Sequence, residues 1–96
     1  MIKHVVFFNF KPEVTDEQRR EIVEAVKALP GEIEVIRDMA VGLDVVKSKR
    51  SWDLALVASF DDRKDLDTYS NHPAHVPLKE KLGSLSIDLG AVDFEC

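Results

Sequence analysis

Cysteine is nearly absent from this chain, in which the single thiol among 96 residues is the terminal Cys96. One cysteine cannot close an intrachain disulfide, and it cannot form the cysteine clusters of structural zinc sites. A free thiol is typical of a reducing compartment, and the N-terminus lacks the basic and long apolar stretches of a secretory leader. The sequence therefore predicts a cytoplasmic protein with neither a disulfide framework nor a bound metal.

Long apolar runs, clustered glycines and an excess of basic residues are missing as well. No apolar run approaches the ~20 residues that a membrane span requires. The four glycines are scattered singly, so there is no glycine-rich phosphate loop and no nucleotide cofactor is expected. No nucleophile elbow marks a hydrolase. Lys and Arg number 13 against 18 Asp and Glu, and this acidic balance argues against nucleic acid as a partner.

What the chain does contain is typical of one small soluble domain, residues 1–96, with 45% apolar and 32% charged residues. A chain of this length buries only about two-thirds of the surface that its unfolded form exposes, so a monomer has a modest core. Burial between two copies of the chain would enlarge that core.

The first strand is predicted over Ile2–Phe10, where both alternating faces carry apolar side chains. His4 shares one face with Val6 and Phe8, while Phe7 lies on the other. A small antiparallel sheet usually has one face in water, so this pattern predicts helices on one side and a second copy of the sheet on the other. His4 is then either a hydrogen-bonded core histidine or a group that lines a cavity.

A first helix is predicted from the capping-box pattern Thr15–Gln18, followed by Ile22 and Val26 at helical spacing. Pro30-Gly31 should end it. Acidic residues in its first turn and Lys27 near its end agree with the helix dipole.

Two further strands are predicted, over residues 33–41, ended by Gly42, and over residues 52–60, beginning with Trp52 on the same face as Leu54. The polar loop between them carries three cations, and two interpretations of it stay open: a solvated hairpin, or a site that attracts an anionic ligand. These cations are Lys47, Lys49 and Arg50.

The second half of the chain has two short helical segments separated by Pro73. Asp61-Asp62 predicts the N-cap of the first, Pro77 suits the first turn of the second, and Gly83 marks its expected end. A last strand is predicted over residues 87–94. The order βαββαβ predicts an α+β, ferredoxin-like fold, with a four-stranded antiparallel sheet, helices on one face, and the other face left for a partner.

Proton-transfer groups are concentrated around Pro73, where Tyr69, His72 and His75 lie close together. A helix must end before the proline, so Tyr69 falls in the last turn of one helix and His75 near the start of the next. An imidazole that titrates near ~6.5 and a phenol that titrates near ~10 can exchange protons near neutral pH when a cavity holds both. The alternative is structural: Tyr69 packs on the sheet, His75 caps a helix and His72 points to water.

The pattern Tyr69-x-x-His72-Pro73-x-His75-Val76 resembles the signature of the stress-responsive dimeric α/β barrel family, and the resemblance extends along the chain. The other matching segments are Ile2–Lys11, Val41-Gly42, Trp52–Phe60 and Val92–Phe94. The resemblance implies a homodimer in which two sheets pack face to face into a barrel. Members of the family include plant polyketide cyclases, stress-induced oligomers with no established reaction, and uncharacterised bacterial proteins.

Resemblance to the polyketide cyclases implies a site without a cofactor, in which Tyr69 and His75 act as acid and base and His4 orients the substrate. The pair would remove a proton next to a ketone and protonate the carbonyl oxygen during an intramolecular aldol closure. The implied ligand is a small organic molecule held between sheet and helices. We expect its cavity to be lined by Val6, Phe8, Ile22, Val26, His72 and Leu78.

Two other functions are kept as alternatives. A noncatalytic stress-response oligomer would need none of this chemistry, and a cavity of ~300 Å³ or more beside Tyr69 and His75 would argue against it. Small α/β-barrel monooxygenases without cofactors share the architecture and use residue types such as Asn9 and Trp52, a similarity at the level of the fold.

Overall fold

The computed structural model describes residues 1–96, which form four strands, three α-helices and one 3-10 turn. In chain order the elements are β1 (Ile2–Phe10), α1 (Asp16–Ala28), the 3-10 turn (Leu29–Gly31), β2 (Asp38–Leu43), β3 (Leu54–Phe60), α2 (Arg63–Ser70), α3 (Val76–Leu85) and β4 (Ser86–Glu95). None of the helices combines the length and apolar character that crossing a membrane requires.

The strands form one antiparallel sheet in the order β2-β3-β1-β4, so β4 lies at an edge and pairs with β1. The helices cover one face: α1 contacts β2, while α2 contacts β1 and β3. This is the predicted ferredoxin-like α+β fold, in which the second helical segment is divided into α2 and α3 at Pro73.

The predicted strand over residues 33–41 was wrong in its first half. The strand is Asp38–Leu43, and it continues through Gly42 instead of ending there. Residues 33–36 form turns, but the side chains of Ile33 and Ile36 are buried in the core. Their apolar character therefore reflects core packing by a turn and was misinterpreted as the alternation of a strand.

Two other predicted boundaries were wrong. Trp52 belongs to the loop before β3, and its ring packs edge-on against Phe7 at 4.8 Å between centroids, on the face opposite Leu54. Gly83 does not end α3, which continues to Leu85. An internal glycine costs a helix ~1 kcal/mol relative to alanine, which weakens the helix without breaking it.

The strand register sorts the side chains between the two faces of the sheet. His4 on β1 pairs with Ala58 of β3 and Asp93 of β4, so these three residues share the face that the helices cover. The core lies on this face because the apolar sides of the helices meet it. Its largest fully buried members are Tyr69, Phe8, Phe60, Ile22, Ile33, Leu54 and Val26.

The opposite face, which we call the open face, carries apolar side chains that no helix of the chain covers. Val5 pairs there with Val57 and Val92, and an apolar depression of about 500 Å³ lies around Phe7 and Val57. A Cβ atom at Gly90 would lie 2.5 Å from Cε2 of Phe7, so the missing side chain lets the Phe7 ring lie against β4. The centre of the open face is thus apolar, as packing against a second protein layer requires.

Candidate active site

The bend around Pro73 brings the last turn of α2 against the start of α3. The backbone N–H of His75 donates to the carbonyl of His72 at 2.9 Å, which closes a turn across the proline. Tyr69 in α2 then meets His75, the N-cap residue of α3. The two ring centroids lie 4.2 Å apart, with 30° between the ring planes. The motif therefore holds a phenol against an imidazole.

Burial moves the pKa values of these two rings in opposite directions. Tyr69 is 1% exposed, and burial raises its pKa to about 12, so the phenol keeps its proton. Burial lowers the pKa of His75 below its usual 6.5, and a hydrogen bond from Nδ1 to the Ser70 carbonyl (3.1 Å) offsets only part of this effect. The positive charge of Lys79 lowers that pKa further. At neutral pH, the pair thus combines a phenol donor with an uncharged imidazole.

The hydrogen bond to Ser70 also decides which nitrogen of His75 is basic. A carbonyl oxygen only accepts, so Nδ1 carries the proton and Nε2 of the uncharged ring has the free lone pair. The Tyr69 hydroxyl makes no hydrogen bond within the chain, and burial alone shifts its pKa. Tyr69 borders a cavity between the sheet and the helices, so a ligand in that cavity can approach the ring.

His4 approaches the pair from the sheet. Its ring centroid lies 5.8 Å from that of Tyr69. The carboxylate of Asp93, on the neighbouring strand β4, contacts Nδ1 of His4. Because a carboxylate accepts, Nδ1 of a neutral His4 carries the proton and Nε2 can accept from a ligand. Asp93 thus fixes the orientation of the imidazole through its contact with Nδ1.

A cavity of about 400 Å³ opens beside the three rings, between the sheet and the helices α2 and α3. Its polar lining consists of His4, Tyr69, Ser70, His75, Lys79, Ser86 and Asp88, and the rest consists of Val6, Phe8, Leu56, Leu82, Gly83, Ile87, Leu89 and Ala91. A mostly apolar cavity of this size with a few convergent polar groups suits a small organic molecule.

Of the residues expected to line this cavity, Val6 and Phe8 do so, but four others do not. Ile22 and Val26 are fully buried core residues of α1, which packs over β2 at the other end of the strand order. The prediction placed α1 as well as α3 over His4. A four-stranded sheet is wide enough for these helices to cover different halves of it.

His72 and Leu78 also lie outside the cavity. Nδ1 of His72 accepts from the backbone N–H of Ala74 at 3.0 Å, and its ring borders a separate depression beside residues 32–35. Leu78 packs against the core. Successive helical residues are rotated by about 100°, so α3 presents Lys79 to the cavity in its place.

Sequence reasoning missed the contribution of β4, which supplies the outer wall of the cavity. Leu89 is the cross-strand partner of Phe8, and Asp93 is the partner of His4. The available signal was the antiparallel pairing of the first and last strands, because partners in such a pair share a face. Register depends on a bulge near Asn9 and Phe10, which the sequence pattern does not reveal.

A second cavity, of about 410 Å³, lies between the start of α1 and the loop from β2 to β3. It is lined by Asp16, Arg19, Leu43, Asp44, Lys47, Ser48, Ser51 and Asp53. Carboxylates outnumber cations there and one residue is hydrophobic, so this cavity attracts neither an anion nor an apolar ligand. No group of three or more His, Cys, Asp or Glu side chains is arranged to hold a metal ion.

Comparison with known proteins assigns the family. Residues 2–96 match the Stress responsive A/B Barrel Domain, or Dabb. The chain belongs to the Dabb family. A relative that is 34% identical over 77 residues, covering 78% of this chain and 79% of the relative, is an uncharacterised protein of Streptomyces coelicolor. Another, 27% identical over 77 residues and covering 78% of this chain and 76% of the relative, is the olivetolic acid cyclase of Cannabis sativa.

Solved structures agree with the Dabb fold. A dimeric ferredoxin-like protein of unknown function from Bacteroides fragilis has a TM-score of 0.85 at 33% identity, covering 99% of this chain and 95% of that protein. A dimeric ferredoxin-like protein of unknown function from Thermobifida fusca has a TM-score of 0.91 at 27% identity, covering 99% and 90%. The hydroxynitrile lyase of Passiflora edulis, with a TM-score of 0.87 at 14% identity over 97% and 90%, shares the fold. The fold and family predictions are thus confirmed.

Proposed function

We propose that this Dabb protein binds a small organic molecule with an enolisable carbonyl group and acts on it by acid/base catalysis without a cofactor. The observation that carries the proposal is the contact of Tyr69 and His75 beside a cavity of about 400 Å³, with their pKa values moved in opposite directions. Two titratable groups whose environments separate their pKa values are suited to acid and base roles. The relationship to olivetolic acid cyclase favours an aldol closure of a linear polyketo acid.

In this reaction, Nε2 of His75 removes a proton from the carbon next to a ketone. The carbanion then bonds to a second carbonyl carbon of the same molecule, and the electron pair of that carbonyl π bond moves to its oxygen. Tyr69 donates a hydrogen bond to this oxygen, and protonated His75 returns the proton to it. Protons and electrons balance within the substrate, so the step needs no redox partner.

His4 and Asp93 have a supporting role in the proposal. Nε2 of His4 accepts a hydrogen bond from an enol hydroxyl of the substrate, and the Asp93 carboxylate keeps the imidazole in the tautomer that can do so. The substrate is then held between His4 on the sheet and the Tyr69–His75 pair on the helices. This arrangement favours one conformation of an otherwise flexible chain of ketones.

We further propose that the protein is a homodimer that packs open face against open face. The exposed apolar side chains of Val92 and Phe94 and the depression around Phe7 support this contact. The neighbours from Bacteroides fragilis and Thermobifida fusca, both dimers, support it as well. Because the cavity lies on the opposite face of the sheet, each protomer would keep its own site.

Turnover of a linear 3,5,7-trioxocarboxylic acid, in which C2 can close on the C7 carbonyl to form a six-membered ring, tests the proposed chemistry and is followed by loss of its enol absorbance. We expect His75→Ala and Tyr69→Phe each to lower kcat/KM by ~10²–10⁴. His72→Ala is the matched control, since it removes a histidine of the same motif that lies outside the cavity. Circular dichroism and thermal unfolding check that each variant is folded. Equal rates in all variants, or no turnover by the wild type, would favour the noncatalytic stress-response oligomer.

The monooxygenase alternative draws less support from the structure. The side-chain carbonyl of Asn9 accepts from the backbone N–H of Asp53 at 3.0 Å, and Trp52 packs on Phe7. Neither Asn9 nor Trp52 lines the cavity beside His4. Oxygen consumption in the presence of the same trioxo acid would revive this alternative.

A further inference from the structure

We infer that Lys79 anchors the carboxylate of the ligand at the mouth of the cavity, and that the ligand class is therefore an amphiphilic carboxylic acid whose apolar part reaches the sheet. The inference rests on the proposed function and names the substrate class for the same site. It predicts that the protein prefers ligands with a negatively charged head group. The acid/base chemistry on a ketone does not by itself require this preference.

Lys79 is the only lysine or arginine among the residues that line the cavity. The ion pairs of the chain join His4 to Asp93, Arg19 to Asp53 and Arg37 to Asp61, so the ammonium group of Lys79 has no acidic partner. Its side chain is exposed at the helix surface. A cation at a cavity mouth without an internal counter-ion is available to an anionic ligand.

The position of Lys79 relative to the acid/base pair follows from helical geometry. Its backbone N–H donates to the carbonyl of His75 at 2.9 Å, and residues four apart lie on the same side of a helix. The backbone of Lys79 therefore lies ~6 Å along the helix axis from that of His75, on the same side of the helix. A carboxylic acid with a ketone a few carbons away can reach both groups at once.

The remaining lining fits the apolar part of such a ligand. Phe8 and Leu56 form a buried floor, and Leu89 is an apolar rim residue that stays 66% exposed. Asp88 also lines the cavity and adds one negative charge to it, at the end of β4 that pairs with Asn9. The net charge of −5 disfavours anions in general, so selection of a carboxylate depends on the local charge of Lys79.

Calorimetric titration with octanoate and with 1-octanol tests the anchor, at a pH near 8 where His75 is uncharged. We expect Lys79→Gln to weaken octanoate binding about five-fold, the effect of losing an exposed ion pair of ~1 kcal/mol, and to leave 1-octanol binding unchanged. Lys79→Arg should keep the affinity for octanoate. Lys81→Gln is the matched control, because Lys81 is on the same helix but does not line the cavity.

The possible outcomes distinguish the proposed role of Lys79 from the proposed location of the ligand. If Lys79→Gln leaves the affinity for octanoate unchanged while 1-octanol still binds, the anchor is wrong and the ligand cavity stands. If neither compound binds the wild type, the anchor fails, and the proposed function is then decided separately by turnover of the polyketo acid. Ala91→Phe should fill the cavity and abolish both titrations, with unfolding measurements to check its fold; retained binding would locate the ligand elsewhere and overturn the inference.

Discussion

Tyr69 and His75 lie in ring contact, 4.2 Å between centroids, and the burial that keeps the proton on the phenol also keeps the imidazole uncharged. A single packing arrangement thus prepares both a donor and a base. Neither ring needs a charged neighbour to hold its working state, because desolvation is the largest influence on both pKa values. The pKa values of both rings should therefore shift back toward their ordinary values if water enters the site.

The pH dependence of turnover should follow His75 on the acid side. The ring is a base only when uncharged, so kcat/KM should fall as the pH drops through a pKa below 6.5. On the alkaline side, titration of Tyr69 should not lower the rate near pH 10, because the phenol keeps its proton until about 12. Initial rates across this range check the prediction. A rate that declines as the pH rises above 7 would mean that a different group limits the reaction.

Alkaline stability should depend on Tyr69. Its folded pKa of about 12 lies above the 10.0 of the unfolded chain, so the folded state binds more protons between these values. This contribution is fully present below pH 10 and is lost as the pH rises toward 12, and it amounts to on the order of 2–3 kcal/mol. Urea unfolding at pH 7 and pH 11 should show the loss in the wild type. Tyr69→Phe should make the difference smaller, since phenylalanine does not titrate.

Asp93 should act through His4, and its replacement should affect the reaction more than the fold. Asp93→Ala removes the carboxylate that orients the imidazole, and we expect a loss of ~10–100-fold, the size seen when a partner that orients a metal-ligating histidine is removed. Glu95→Gln is the control, because it removes a carboxylate from the same strand away from His4. A drop in kcat/KM with an unchanged melting temperature is the expected result. Equal rates in both variants would assign the His4–Asp93 contact to structure alone.

The sequence was informative where one physical requirement dominates. Pro73 cannot continue a helix, so the bend between α2 and α3 was predictable. The capping box at Thr15 likewise marked the start of α1, where the Gln18 side chain accepts from the Thr15 backbone N–H at 2.8 Å. Such local signals depend on neighbouring residues only, and they located most of the elements.

The sequence was less informative where tertiary packing decides. Ile33 and Ile36 are as apolar as strand residues, but a buried turn needs the same side chains. The cavity wall depends on which strand lies beside β1 and on the bulge near Asn9, and neither is encoded in a local pattern. This is why Leu89 and Asp93 were missed while Val6 and Phe8 were found.

The last prediction concerns the proposed homodimer. Val57 lies on the open face, paired with Val5 and Ala40, and is half-buried within one protomer. If two open faces pack together, Val57→Asp places an unpaired carboxylate in the contact at a cost of several kcal/mol. We expect a monomer or an aggregate by light scattering and a lower melting temperature. Val45→Asp is the matched control, since Val45 is 90% exposed in a loop.

A dimer of unchanged mass and melting temperature in the Val57→Asp variant would contradict the open-face contact. The prediction also separates assembly from chemistry, because Val57 and the cavity lie on opposite faces of the sheet. A folded Val57→Asp monomer should therefore still bind octanoate, although more weakly if the loss of the second layer loosens β1. Loss of binding together with loss of the dimer would mean that the cavity forms only when two copies of the sheet support each other.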